Sequence, residues 1–310
     1  MTQVELHPTS CAICGTADNS QELYPANFDT EAFSAPVFSA RRLPDRLHYR
    51  MVRCNSCGLV RSDPAGDPDL IAQLYRQSTF DYGSEIDNIG RTYRDYLARL
   101  DNYGVRKASL LEVGCGNGFF LEYAVEHGYR NVQGVEPSRH AVEQAPPEIR
   151  RSIVCDIMRP GLFPTASLDV ICFFQVLDHL FDPAQILRVC HEALKPGGFV
   201  LCLNHNIAAL SARVLKDRSP IIDIEHTYLY DPQTISALFS RAGFDVVETG
   251  KALNRYSLNY LIRLLPLPNA VKRGCISTLE LIRLGYMPLR VSLGNLYIIA
   301  RKSTSGEPPR

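Results

Sequence analysis

Neither sign of charge is in excess in this chain. Its 33 Lys and Arg are balanced by 33 Asp and Glu over 310 residues, a formal net charge of zero. Proteins that live on nucleic-acid phosphates carry a cationic surplus, so DNA and RNA are poor expectations as partners. Missing too is any run of about 18 consecutive apolar residues, the length a helix needs to span a bilayer; no stable membrane insertion is expected. The start, MTQVELHPTS, lacks the basic cluster and apolar stretch of a secretory leader, and a cytoplasmic location is expected. No solenoid-type repeat occurs. Against these absences, 45% of the residues are apolar, enough for a full core, and the length suits a main domain with an appendage.

Ten cysteines are present, expected to be reduced in that compartment. Four fall into two knuckles, Cys11-x-x-Cys14-Gly15 and Cys54-x-x-Cys57-Gly58. Thiolates so spaced in a tight turn can face one ion, and four of them close a tetrahedral shell, which predicts a structural zinc. The 39 residues between the pairs exceed the usual spacing. A redox role needs one such pair in a thioredoxin-like setting, which is missing. Most of the other six cysteines read as small core hydrophobes. Residues 41–61 hold six arginines and one aspartate; they read as a solvated rim or as a landing site for an anionic, nucleotide-linked or carrier-linked substrate.

The pattern divides the chain into a cysteine-bearing subdomain (1–62), a helical lid or linker (63–108), a main domain (109–303) with an apolar and basic helical insert (255–290), and a disordered tail (304–310). Within the main domain, short apolar runs alternate with amphipathic helices. That βαβα rhythm predicts a parallel sheet with helices on both faces. The insert is expected to be a lid or dimer face rather than a membrane-surface helix, and the protein a monomer or homodimer.

In LLEVGCGNG, an apolar strand runs into Gly114, Gly116 and Gly118 and then directly into a helix. Glycine there permits a sharp turn and close ligand approach. A dinucleotide fingerprint, Gly-x-Gly-x-x-Gly/Ala, would need a small residue where Phe119 stands. The acid at the strand end, Glu112, suits a cationic ligand better than a pyrophosphate. Glu136, ending the second strand, suits a ribose diol; Asp156, ending the third, can accept from an adenine amino group while Ile157 packs on the ring.

In order, EVGCGNG, VEP, CDI, LDVICFFQVLDHLFDP and ALKPGGFV resemble the class I S-adenosylmethionine-dependent methyltransferases over about residues 109–250 plus the final strand. The resemblance implies an α/β fold with a seven-stranded Rossmann-like sheet, its last strand antiparallel, S-adenosylmethionine as cofactor, and in-line methyl transfer. It adds Pro137 and Gln175 to the cofactor contacts. HYRMVRCNSCGLVRSDP looks like the N-terminal half of bacterial sugar C-methyltransferases, which carry a further C-terminal domain. That likeness implies catalytic roles for His179, Glu225 and His226, with Glu225 orienting His226 as a general base, and cofactor contacts from Tyr75 and Tyr82 of a lid. Asp223 stands where that family has tyrosine. The expected reaction is methyl transfer to a small-molecule acceptor, a sugar or a glycan or natural-product precursor. The rivals are an NAD(P)-dependent Rossmann oxidoreductase and a non-catalytic zinc-ribbon scaffold with a vestigial fold.

Overall fold

The structure, a computed structural model, describes residues 5–28, 34, 37–38, 46–79, 83–265 and 267–303. The expected tail at 304–310 lies outside them, as does Tyr82.

The first part is small and β-rich: β1 (Leu6–His7), β2 (Ser20–Tyr24), β3 (Met51–Cys54), β4 (Val60–Ser62) and β5 (Ala65–Gly66). Two helices follow, α1 (Pro68–Gln77) and α2 (Ile86–Arg99). The main domain then runs β6 (Ser109–Val113), α3 (Phe119–Glu126), β7 (Asn131–Val135), α4 (Arg139–Glu143), α5 (Pro147–Arg150), β8 (Ile153–Val154), β9 (Leu168–Phe174), α6 (Pro183–Ala193) and β10 (Leu194–His205). It continues with α7 (Leu210–Leu215), β11 (Tyr228–Leu229), α8 (Pro232–Arg241) and β12 (Phe244–Lys251). Then come β13 (Asn254–Ser257), α9 (Leu258–Leu264), α10 (Asn269–Leu281), β14 (Pro288–Val291) and β15 (Asn295–Lys302).

Three helices start the same way. Asp67-Pro68, Asp182-Pro183 and Asp231-Pro232 each put an aspartate at the N-cap, where its carboxylate accepts a backbone N–H of the first turn, and a proline at the first helical position. Proline costs nothing there, because that N–H has no partner within the helix.

Seven strands form the expected central sheet, in the order β12-β15-β10-β9-β6-β7-β8. Strands β6 to β10 pair in parallel, and β15 runs antiparallel to both β10 and β12. Buried on both faces, β6 and β9 have no exposed residue. Alternate residues feed two cores. Leu111, Ile171, Phe173 and Val200 pack on the side of α6 and α8, and Leu110, Val170, Phe174 and Leu201 on the side of α2 and α3.

Two smaller sheets matter for the site. One has the order β11-β4-β3-β2, so the cysteine-bearing hairpins borrow their last strand from the main domain. The other pairs β13 with β14, so the segment expected to be helical is closed at its base by two strands.

Candidate active site and cysteine centre

The strand-end residues of β6, β7, β8 and β9 converge on a cleft of about 940 Å³. After β6 the chain turns through Gly114 and Gly118, at φ of 73° and 76°. A Cβ on Gly114 would stand 2.4 Å from the Val176 side chain, and one on Gly118 2.5 Å from Ile149. Both positions thus require glycine for conformation and for space. Glu136 follows β7; its Oε2 accepts from the Gly116 N–H at 2.9 Å and its Oε1 from Ser138 N–H at 2.8 Å. Burial raises its carboxyl above the usual range, against the pull of those two bonds. Asp156 accepts from the Ile157 N–H at 2.8 Å and from Arg159 Nε at 3.0 Å, which holds its carboxyl below the usual range. Ile157 leaves 38% of its surface exposed beside it, an apolar platform in the cleft wall.

At the other end, four groups gather. Asp178 is fully buried, between β9 and α6. Its Oδ2 accepts from His205 Nδ1 at 2.7 Å, and its Oδ1 is 3.6 Å from His179 Nε2. Burial would raise this carboxyl, but the charges of His179, His205 and His226 and the His205 hydrogen bond hold it well below the usual range. The backbone carbonyl of Asp178 accepts from the N–H groups of Thr227 and Tyr228, which fixes the His226 loop against the end of β9. The His226 ring lies 4.3 Å from that of His205 and 5.0 Å from that of His179.

His226 Nδ1 is 2.8 Å from the Ile221 carbonyl oxygen. A carbonyl only accepts, so Nδ1 carries the proton and Nε2 the lone pair. Burial, and then the neighbouring His205, lower the pKa of His226 against the opposing pull of Asp178 and Asp223. The orienting bond thus comes from Ile221 rather than from Glu225. Glu225 faces α1, with Oε1 3.4 Å from the Tyr75 hydroxyl, which also meets His179 Nδ1 at 2.8 Å.

The two cysteine knuckles meet although the sequence holds them apart. The Sγ atoms of Cys11, Cys14, Cys54 and Cys57 all lie within 4.8 Å of one another. The turns are matched: Gly15 N–H donates to the Cys11 carbonyl at 2.8 Å and Gly58 N–H to the Cys54 carbonyl at 2.9 Å. Burial would raise the Cys54 thiol, but bonds from the backbone N–H groups of Cys57 and Ser56 bring it down to about 6. Four converging soft donors with a stabilised thiolate fit a tetrahedral metal ion. The centre is tied to the cleft through β4: Ser62 N–H donates to the Thr227 carbonyl at 2.8 Å, and Ser62 Oγ to the His226 carbonyl at 3.0 Å.

Of the residues singled out in the sequence, Tyr75, Gly114, Glu136, Pro137, Asp156, Ile157, Gln175, His179, Glu225 and His226 all line the one cleft. The structure does not bring Glu112, Gly116 and Gly118 to its wall. Glu112 sits behind it, 2% exposed, with Oε2 lacking a partner among the described residues. Burial, and then Glu136, push its carboxyl well above the usual range. Three arginines of the basic segment are engaged within the protein. Arg61 is fully buried against Thr9 and Ala17, Arg50 pairs with Asp63, and Arg53 donates to the Gly58 carbonyl. Arg41 and Arg42 lie outside the described residues. Sequence reasoning missed Asp178; the Asp-His pair at 178–179 after an apolar strand was the available signal.

A family model described as a methyltransferase domain matches residues 85–249. Among curated relatives, the chain is 31% identical over 144 residues to a "Probable S-adenosylmethionine-dependent methyltransferase" of Mycolicibacterium smegmatis, covering 45% of this chain and 53% of that protein. It is 33% identical over 131 residues to a ubiquinone biosynthesis O-methyltransferase of Caulobacter vibrioides, covering 37% and 50%. The match thus spans about half the length of these relatives. Among solved structures, a SAM-dependent methyltransferase from Archaeoglobus fulgidus superposes with a TM-score of 0.48 at 22% identity, over 72% of this chain and all of that one.

Proposed function

This chain belongs to the methyltransferase-domain family, whose model covers residues 85–249, and from that premise we propose that it transfers a methyl group from S-adenosylmethionine to a small-molecule acceptor. The observation that carries the reading is the sharing of one cleft. Glu136, Asp156 and Ile157 line the same space as His179, His205 and His226. The residues fit the cofactor: a carboxylate after β7 for the ribose hydroxyls, a carboxylate after β8 for the adenine amino group, and the apolar Ile157 for the ring. Arg159 is the sole Arg or Lys among the described lining residues, and it is engaged by Asp156; a pyrophosphate would find little to neutralise it. Once bound, the cofactor supplies an electrophilic methyl carbon on a sulfonium, open to in-line displacement.

The chain's part is to position the acceptor and take its proton. His226 does the second: burial keeps its imidazole neutral, the Ile221 carbonyl fixes the tautomer, and Nε2 offers the lone pair. When His226 takes the proton, the buried Asp178 carboxylate stabilises the new positive charge, directly and through His205. Such a base matters for a hydroxyl or a C–H acceptor, and the O-methyltransferase relatives agree with the first. Tyr75, Glu225 and His179 form a polar wall that suits a sugar or a natural-product precursor; a nucleotide- or carrier-linked form would have to rely on groups other than Arg50, Arg53 and Arg61. In this reading residues 1–62 are a zinc-organised platform held by Cys11, Cys14, Cys54 and Cys57, residues 63–108 cover the cleft, and 109–303 carry out the transfer. Calorimetry tests it: the protein binds S-adenosylmethionine and not NADH. Binding of NADH without S-adenosylmethionine would overturn the reading in favour of an oxidoreductase.

A further inference from the structure

Twelve of the sixteen large apolar side chains exposed on the described surface lie in residues 210–214 and 253–293, so the exposed apolar surface is concentrated in one region. Leu210 is 76% exposed and Leu281 83%. The two segments are joined, for Ser211 Oγ donates to the Leu293 carbonyl at 2.5 Å. Helix α10, thirteen residues long, buries none of them. Isolated helices of that length are marginal in water, and their apolar side chains call for a covering surface.

The charge of the region is one-sided. Residues 253–293 hold Arg255, Arg263, Lys272, Arg273, Arg283 and Arg290 against the single acid Glu280. Arg255 and Arg290 pair with Asp95, while Arg263, Arg273 and Arg283 are exposed. Next to them α7 and the turn after it add Arg213, Lys216 and Arg218 against Asp217. A two-fold dimer through this face would set the same cationic patch against itself, whereas apolar side chains ringed by arginine and lysine match a bilayer surface with anionic headgroups.

The face is also the mouth of the cleft. Leu265 and Leu293, exposed on it, line the cleft together with Leu258, Leu261, Ile262 and Leu264. Apolar side chains of the face and His226 therefore border one cleft.

We propose that the surface formed by α7, α9, α10 and β14 docks on an anionic lipid bilayer, and that the acceptor is a membrane-held amphiphile whose apolar part enters the cleft along α9 while its polar head reaches His226. The second half rests on the methyl-transfer reading; the docking does not. Arginines at the rim keep their charged ends among the headgroups while their stems lie along the apolar face.

Flotation of the full chain with vesicles of equal parts phosphatidylglycerol and phosphatidylcholine tests the docking. The protein floats with these vesicles, stays behind with phosphatidylcholine alone, and is released as salt rises. The pairs Leu281→Asp with Ile282→Asp, and Arg273→Glu with Arg283→Glu, each weaken vesicle affinity by about tenfold or more, while Tm and S-adenosylmethionine affinity stay at wild-type values. Failure of the wild type to float, or variants that float equally well, would overturn the proposal. So would a dimer in sedimentation equilibrium that Leu281→Asp splits, since the face would then belong to a second copy. For the acceptor half the probe is decyl glucoside below its micelle concentration. Calorimetry shows it binding to the wild type and to His226→Asn and not to Leu261→Glu. Absence of binding to the wild type overturns that half while leaving the flotation result, and the test against NADH, to stand separately.

Discussion

Glu136 has two claims on its carboxylate: it accepts the backbone N–H groups of Gly116 and Ser138, and it is the acceptor proposed for the ribose diol. Glu136→Ala should weaken S-adenosylmethionine binding by about 2–3 kcal/mol, the loss of charged hydrogen bonds to two hydroxyls. Calorimetry reads this directly, with Glu136→Gln as the isosteric companion that keeps an acceptor for the loop. Equal affinity in both variants and the wild type would remove the ribose assignment. At His226 the expectation concerns rate. His226→Asn should lower turnover by about 10²–10⁴-fold and leave cofactor affinity nearly intact. In the wild type, burial depresses the imidazole pKa, so the acid limb of kcat/KM should lie below about 6.5, the ordinary histidine value. An acceptor that is a neutral amine would keep this variant active and redirect the reading to N-methylation. Glu136, Asp156 and Ile157 were legible in the sequence because each directly follows an apolar run, and the ends of parallel strands are where such sheets bind ligands. Asp178 was not, because its partners His205 and His226 lie 27 and 48 residues away; the β9–β10 pairing brings up the first, and the Thr227 and Tyr228 N–H bonds to the Asp178 carbonyl the second. The orienting role given to Glu225 failed for a local reason: adjacent residues in a turn face different ways, and Glu225 faces Tyr75.

Among the elements, the helices were the easiest to read, since the Asp-Pro starts state both the cap and the first helical residue. The strands β13 and β14 were hidden. Their pairing encloses α9 and α10, and a four-residue strand at either end of an apolar, basic run has no periodicity of its own to stand out. The knuckles were legible through Cys-x-x-Cys-Gly, but what they are attached to was not, because β4 pairs with β11 across more than 160 residues. That attachment changes what metal loss should do. Cys54→Ser should abolish bound zinc, measured by elemental analysis, and should lower turnover, because Ser62 of β4 holds the His226 and Thr227 carbonyls. Affinity for S-adenosylmethionine should remain within about twofold, its proposed contacts lying after β6, β7 and β8; the free energy at stake for the small subdomain is on the order of 10 kcal/mol. Full turnover in zinc-free protein would show that the hairpins hold the loop without the ion.

For the molecule as a whole, the buried imidazole is also a stability element. A histidine whose folded pKa is depressed takes up its proton more readily in the unfolded chain. Its contribution is therefore present above the unfolded value of about 6.5 and is lost as pH falls below it. Thermal unfolding should accordingly show Tm declining as pH drops below about 6.5, more steeply in the wild type than in His226→Asn. An identical slope in the two would show that burial of the His226 imidazole does not contribute to the acid response. The two-core architecture of the central sheet was legible as soon as the βαβα rhythm was recognised, since continuous apolar runs such as LDVICFF are required only of strands covered on both faces. The insert 255–290, which carries α9 and α10, was read from its residues as a lid or dimer face, because sequence gives composition but not which side chains stay uncovered.

The borrowed strand β11 also dictates a timetable. Synthesis delivers the two cysteine knuckles and β2, β3 and β4 long before residues 228 and 229, which β4 pairs with at Arg61 and Val60. Domains tend to fold as they emerge from the ribosome, N-terminal parts first. Here the β2-β3-β4 sheet must wait with one edge open until residues 228 and 229 have been made, while its four cysteines are already in the chain. In the proposed reading the four thiols would take up their ion before the loop that carries His226 is complete, and β11 would close the edge of their sheet only afterwards.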